Sequence, residues 1–134
     1  MDKTIVATNE MKKLLLYGIS CFYLCSFTIL SVDDVVTAMK SGNASQVSKF
    51  FDNTVEITFP DKSNAYSKSQ AELVLKDFFT TNGVKSFMVI HRGDNENSQY
   101  CIGILQTKNG EYRTTFYLKQ KGERQLLQEL RFEK

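Results

Sequence analysis

Apolar residues recur along this chain with three different periods, and each predicts a different element. Leu14 to Val32 (LLLYGISCFYLCSFTILSV) is an unbroken run with no charged residue. Val32, Val35, Val36 and Met39 follow at i, i+3, i+4 and i+7, the spacing of an amphipathic helix. Ser31 with Asp34 reads as its capping box and Gly42 as its stop. Asn43 with Gln46 opens a second short helix carrying Ala44, Val47, Phe50 and Phe51. Thr54 to Phe59 (TVEITF) then alternates with period two, so Val55, Ile57 and Phe59 share one face of a strand. Pro60 ends that strand, and Asp61 to Ala65 reads as a turn. Ser67 with Gln70 is the clearest capping box in the chain. It predicts a helix to about Thr81 that buries Ala71, Val74, Leu75, Phe78 and Phe79 and closes at Asn82-Gly83.

After Gly83 the pattern is that of strands alone: Val84 to Arg92, Gln99 to Thr107, Tyr112 to Gln120 and Arg124 to Glu133. Asn109-Gly110 is the strongest hairpin signal in the sequence. Centring the turn there pairs Gly103 with Phe116 and Ile104 with Thr115. A three-residue turn at Lys121-Gly122-Glu123 aligns Leu118 with Leu126 and Tyr112 with Phe132. These registers give two faces. An inner face holds Cys101, Gly103, Leu105, Tyr112, Thr114, Phe116, Leu118, Leu126, Gln128, Leu130 and Phe132. The outer face carries an apolar stripe of Ile102, Ile104, Tyr117 and Leu127. The expected architecture is α+β, with N-terminal helices packed on a curved, mainly antiparallel sheet.

The first apolar run asks for a separate reading. Lys12 and Lys13 precede it and small residues follow at Ser26, Thr28 and Ser31, the layout of a secretory signal peptide. Residues 1–32 are therefore expected to be an N-terminal extension and signal, cleaved between Ser26 and Asp33, with residues 33–134 as a single domain. Met11 is an alternative start to Met1. The expected destination is the periplasm or the exterior. An uncleaved run would instead anchor the domain, since it approaches the roughly 20 residues that span a bilayer; the membrane is expected as a partner only in that case.

Composition narrows the chemistry. The 134 residues carry 17 Lys plus Arg against 15 Asp plus Glu, and removing residues 1–32 leaves 14 against 13. Such a balance gives no dense basic patch for nucleic acid. Cys21 and Cys25 leave with the signal, so Cys101 has no internal disulfide partner. One His and no paired Cys argue against a metal site, and no cofactor motif occurs.

The element order resembles the nuclear-transport-factor-2-like superfamily, a cone of curved sheet wrapped on helices. More narrowly, AYSKSQAELVLKDFF (Ala65 to Phe79), VIHRG (Val89 to Gly93) and YCIGILQTKNGEYRTTFYLKQ (Tyr100 to Gln120) resemble a family of small secreted bacterial proteins of unknown function within it. The superfamily holds isomerases, dehydratases and cyclases as well as non-enzymatic dimers and ligand-binding domains, so fold is a weak guide to function. Its enzymes place an Asp, His or Tyr inside the cone. Here no carboxylate is expected inside: Glu56 alternates outward, Asp77 lies off its helix's apolar stripe, Asp52 terminates a helix, and Glu129 is on the outer face. His91 shares the core face with Phe87 and Val89 if the loop from Gly93 to Asn97 sets Arg92 opposite Ser98, and a change of one residue puts it outside. Phe87 then covers Gly103.

Two readings follow. The first is a secreted, non-enzymatic domain that binds a ligand or partner, with Thr114, Gln128 and His91 as candidate ligand contacts. It pairs as a homodimer through Ile102, Ile104, Tyr117 and Leu127, as the resemblance also implies. The alternative is a small cavity enzyme of isomerase or dehydratase type using His91 and Tyr112. A cone filled by Phe87, Phe116 and Leu130 removes the alternative.

Overall fold

A computed structural model of the chain describes residues 32–134. The expected signal run and the Ser31 cap therefore lie outside the described residues. Helix α1 is Val32–Ser41 and α2 is Ala44–Ser48. Strand β1 is Phe51–Phe59 and β2 is Lys62–Ser67; α3 is Lys68–Asn82. Strands β3 (Val84–Asp94), β4 (Ser98–Thr107), β5 (Gly110–Lys121) and β6 (Arg124–Glu133) complete the chain. They form one six-stranded sheet in the order β2-β1-β6-β5-β4-β3. Every neighbouring pair is antiparallel except β1 with β6, which is parallel.

The caps form where the sequence places them. Asn43 and Ser67 accept hydrogen bonds from the Gln46 and Gln70 amides, each satisfying a free N–H of the first helical turn. Gly83 takes φ +69°, a left-handed value that glycine reaches at no steric cost, and its N–H closes α3 on Phe79 O.

Two elements differ from expectation. The segment read as a turn after Pro60 is strand β2, with the turn reduced to Pro60 and Asp61. Its residues are nearly all exposed because β2 is an edge strand with little of either face covered, so no alternation marks it. Strand β1 begins at Phe51 rather than Thr54. Leu127 N–H donates to Phe50 O at 2.6 Å, and Phe51 pairs with Leu127, a long-range tie that local periodicity does not show.

Register is corrected at both hairpins. The first turn is Lys108-Asn109, with Thr107 opposite Gly110, so Gly103 pairs with Thr114 and Ile104 with Arg113. Thr107 Oγ1 donates to Gly110 O and accepts from Asn109 N–H, which seats Asn109 inside the loop. The shift is two residues, so every side chain keeps its predicted face. The second turn is Gly122-Glu123, with Lys121 opposite Arg124 and Leu118 opposite Leu127. A bulge at Gln128 then restores Leu130 opposite Phe116 and Phe132 opposite Thr114. Leu127, expected on the outer stripe, is consequently fully buried, and Leu126 and Gln128 leave the inner face.

Another break lies on β3. Val89 pairs with Gly103 and His91 with Ile102, leaving Ile90 as the extra residue. His91 therefore joins Ile102 on the outer face, and the expectation that it shares the core with Phe87 and Val89 is corrected. The loop sets Asp94 opposite Gln99, not Arg92 opposite Ser98.

The core lies between the helices and the inner face. Val35, Met39, Val47, Ile57, Leu75, Leu105, Phe116, Leu127, Leu130 and Phe132 are fully buried. Phe87 covers Gly103 as expected: a Cβ there would lie 2.3 Å from Phe87 Cζ and 2.8 Å from Met88 O. The backbone contact cannot swing away. Gly103→Ala should destabilise the fold by about 2 kcal/mol through overpacking, read as a lower urea midpoint with an unchanged slope.

Candidate functional site

Among the described residues the interior is occupied by core side chains. Phe87, Phe116 and Leu130 fill the space between sheet and helices. Thr114 is fully buried, and its hydroxyl donates to Tyr112 O at 3.2 Å. Cys101 is buried there too, and burial pushes its thiol pKa up.

The sequence candidates are dispersed. Tyr112 is on the inner face and His91 on the outer, so the sheet itself separates the proposed catalytic pair. His91 is exposed, and its Nε2 lies 3.0 Å from Tyr100 Oη. Gln128 is half-buried and donates to Asp52 Oδ2 at 3.0 Å. The ligand set of Thr114, Gln128 and His91 thus has one member inside, one at the β6 bulge and one outside. Among the described residues no cluster of His, Cys, Asp and Glu could hold a metal ion.

Asp52 is the buried carboxylate that sequence reasoning missed. It was read as a helix terminator but lies in β1, where β1 bows away from β6 opposite Gln128. Lys121 Nζ sits 2.6 Å from its Oδ2, and Asn53 N–H donates to Oδ1. The Lys121 contact, opposed by burial and helped by Gln128 and Asn53, lowers the Asp52 pKa to about 2. A carboxylate held ionised this firmly is a poor proton acceptor near neutral pH. It ties β1 to β5 and β6.

Two surface features remain. The first is a cleft of about 640 Å³ beside α3 and the β1–β2 turn, lined by Phe59, Phe78, Leu73, Val74, Tyr112 and Asn82 among others. Its aromatic floor is continuous with the core: Phe78 lies 4.5 Å from Phe132 and 5.2 Å from Tyr112 between ring centroids. Tyr112 Oη donates to Asn82 Oδ1, and Asn82 Nδ2 donates to Phe78 O, so the polar groups of the floor are held in place. Asn109 also donates to Asn82, docking the β4–β5 turn on the end of α3.

The second feature is the outer face of β3, β4 and β5. Met88 is 62% exposed, Ile90 58% and Tyr117 40%, with Ile102 and Ile104 half-buried among them. Met88 pairs with Ile104 and Tyr100 with Tyr117, so the apolar groups stand in adjacent rows. Met88 and Ile90 were missed; the nearly continuous run Phe87 to Ile90 was their signal, read only for its inward half.

Residues 32–133 match the model of "Domain of unknown function (DUF4783)". A DUF4783 protein of Bacteroides ovatus, solved as a crystal structure, is 32% identical with a TM-score of 0.75, covering 78% of this chain and 94% of that one. One from Bacteroides uniformis is 30% identical with a TM-score of 0.76, covering 78% and 97%. An NTF2-like protein of unknown function from Cytophaga hutchinsonii is 10% identical with a TM-score of 0.59, covering 80% and 91%, a likeness of fold alone. The fold is therefore the nuclear-transport-factor-2-like one that the sequence resembles. No curated protein matches the chain.

Because folding lowers the Asp52 pKa from 3.8 to about 2, its stabilisation is present above pH 4 and is lost as pH falls toward 2. With Lys121 half-exposed, it should amount to about 1–2 kcal/mol. Urea unfolding of wild type against Asp52→Asn should show that gap at pH 7 and a shrinking gap between pH 4 and pH 2.

Proposed function

We propose that this chain, which belongs to the DUF4783 family, is a secreted, non-enzymatic domain that works as a homodimer joined through the outer face of its sheet. The observation that carries this is the exposed apolar face of Met88, Ile90, Ile102, Ile104 and Tyr117. A contiguous patch of this kind on a small domain marks an interface. Its flanks favour a copy of itself. Arg113, Arg131, Glu129 and Glu133 stand on the same face, with Arg131 Nη2 2.8 Å from Glu129 Oε1. A two-fold interface presents the same patch from both sides, and a patch edged by both signs is complementary to its own copy.

The non-enzymatic part rests on chemistry. His91 and Tyr112 occupy opposite faces, and the one buried carboxylate among the described residues is bound to Lys121. Among the described residues no other carboxylate, and no imidazole, is buried. Secretion rests on Lys12-Lys13 before the apolar run. The family match starting at residue 32 supports a domain that begins where that run ends. Val32 is buried at the start of α1, which favours cleavage ahead of it. The periplasm or exterior is the proposed destination.

Light scattering tests the dimer. Protein from the full-length gene should show twice the single-chain mass, and Ile104→Lys with Tyr117→Lys should halve it while circular dichroism stays unchanged. A wild-type protein at single-chain mass contradicts the proposal. Intact mass of the protein recovered outside the cytoplasm should place its N-terminus between Phe27 and Val32; a chain retaining the whole run argues for an anchor.

A further inference from the structure

The cleft beside α3 carries a recognition chemistry independent of the outer face. Its floor is aromatic and aliphatic: Phe59, Phe78 and Tyr112, with Leu73, 66% exposed, and Val74 as one wall. A smaller hollow of about 280 Å³, lined by Tyr66, Gln70, Leu73 and Val74, shares those two residues and extends the apolar track along α3. The shape suits an extended chain rather than a compact ring.

The rim bears charges of both signs. Asp61 comes from the β1–β2 turn, Lys62 from the first position of β2, Asp77 from α3 and Lys134 from the residue after β6. Among the described residues none of the four is in an ion pair. The two lysines rest instead on the cleft's own rings, Lys62 Nζ 5.8 Å from the Phe59 centroid and Lys134 Nζ 5.5 Å from that of Tyr112. Two cations and two carboxylates are thus held at the mouth without neutralising one another. A purely anionic ligand would meet Asp61 and Asp77, and a purely cationic one would meet Lys62 and Lys134. A ligand with one charge of each sign on an apolar body finds an opposite charge for each, Asp77 on α3 and Lys62 on β2.

We propose that this cleft binds a short apolar peptide with free termini, its ammonium at Asp77 on α3, its carboxylate at Lys62 on the strand side, and its side chains on the Phe59–Phe78–Tyr112 floor. The volume lies within the roughly 300–1,000 Å³ usual for small-ligand sites. The cleft lies open beside the filled interior, with core rings as its floor, so binding requires no opening of the core.

Calorimetric titration of the full chain with the dipeptide Leu-Phe tests this. Leu-Phe should bind saturably, and N-acetyl-Leu-Phe and Leu-Phe amide should each bind about threefold or more weakly, as loss of one exposed charge pair implies. Asp77→Asn should abolish discrimination against the acetylated form, and Lys62→Met discrimination against the amide; both positions are exposed, so folding should be kept. The proposal is overturned if Leu-Phe shows no saturable binding up to about 10 mM. It is also overturned if the blocked peptides bind as tightly as the free one, or if only one of the two blocks matters.

Discussion

Side chains on a strand alternate between faces, so one extra residue moves every later side chain to the other side unless a second break restores it. The sheet contains two such breaks that decide its chemistry. At Ile90 on β3 the extra residue sends His91 to the outer face. At Gln128 on β6 it lets Leu127 oppose Leu118 while Leu130 still opposes Phe116. The first removes the only histidine from the interior; the second closes the interior with leucine. Were both breaks absent and the turns unchanged, the His91 imidazole and the Glu129 carboxylate would face the helices, and the molecule would have the makings of a reactive cone.

The same parity sets where Arg92 falls. With His91 outward, Arg92 pairs with Cys101 on the inner side and reaches Asp33 of α1 at 2.7 Å, so the register of β3 also ties the first helix to the sheet. Asp52 plays a comparable part on the other side, where β1 bows away from β6. Lys121, Gln128 and the Asn53 amide converge on its carboxylate. These polar links lie at the sheet's irregular places, where ladder hydrogen bonds are missing and side chains substitute for them.

Local signals were legible; long-range ones were not. The caps at Asn43 and Ser67, the end of α3 at Gly83 and the bounds of β6 could be read because each depends on residues within a few positions. Phe87 over Gly103 was also legible, since a glycine on a buried face invites a ring from the neighbouring strand. Strand β2 was not, because an exposed edge strand needs no hydrophobic pattern. Nor were the bulges, which arise from pairing with distant partners. Tyr112 was named in the sequence, but the rest of its cleft was not: Phe59, Phe78 and Asn82 read as core or cap, and only the fold brings them to one wall. Of the outer stripe, Ile102, Ile104 and Tyr117 were legible from alternation, while Leu127 was misplaced by a turn one residue too long.

What remains is a filled interior and two surfaces on opposite sides of β5, a charged-rim cleft at Tyr112 and an apolar face at Tyr117. The central claim is that this apolar face is covered by a second copy. Methyl NMR with a soluble paramagnetic agent measures that coverage without altering a residue. Met88 and Ile90 are as open as Leu73 on a lone chain. The account predicts that at dimer-forming concentration the Met88 and Ile90 methyls are protected from relaxation while the Leu73 methyls are not. Equal relaxation at all three would contradict it.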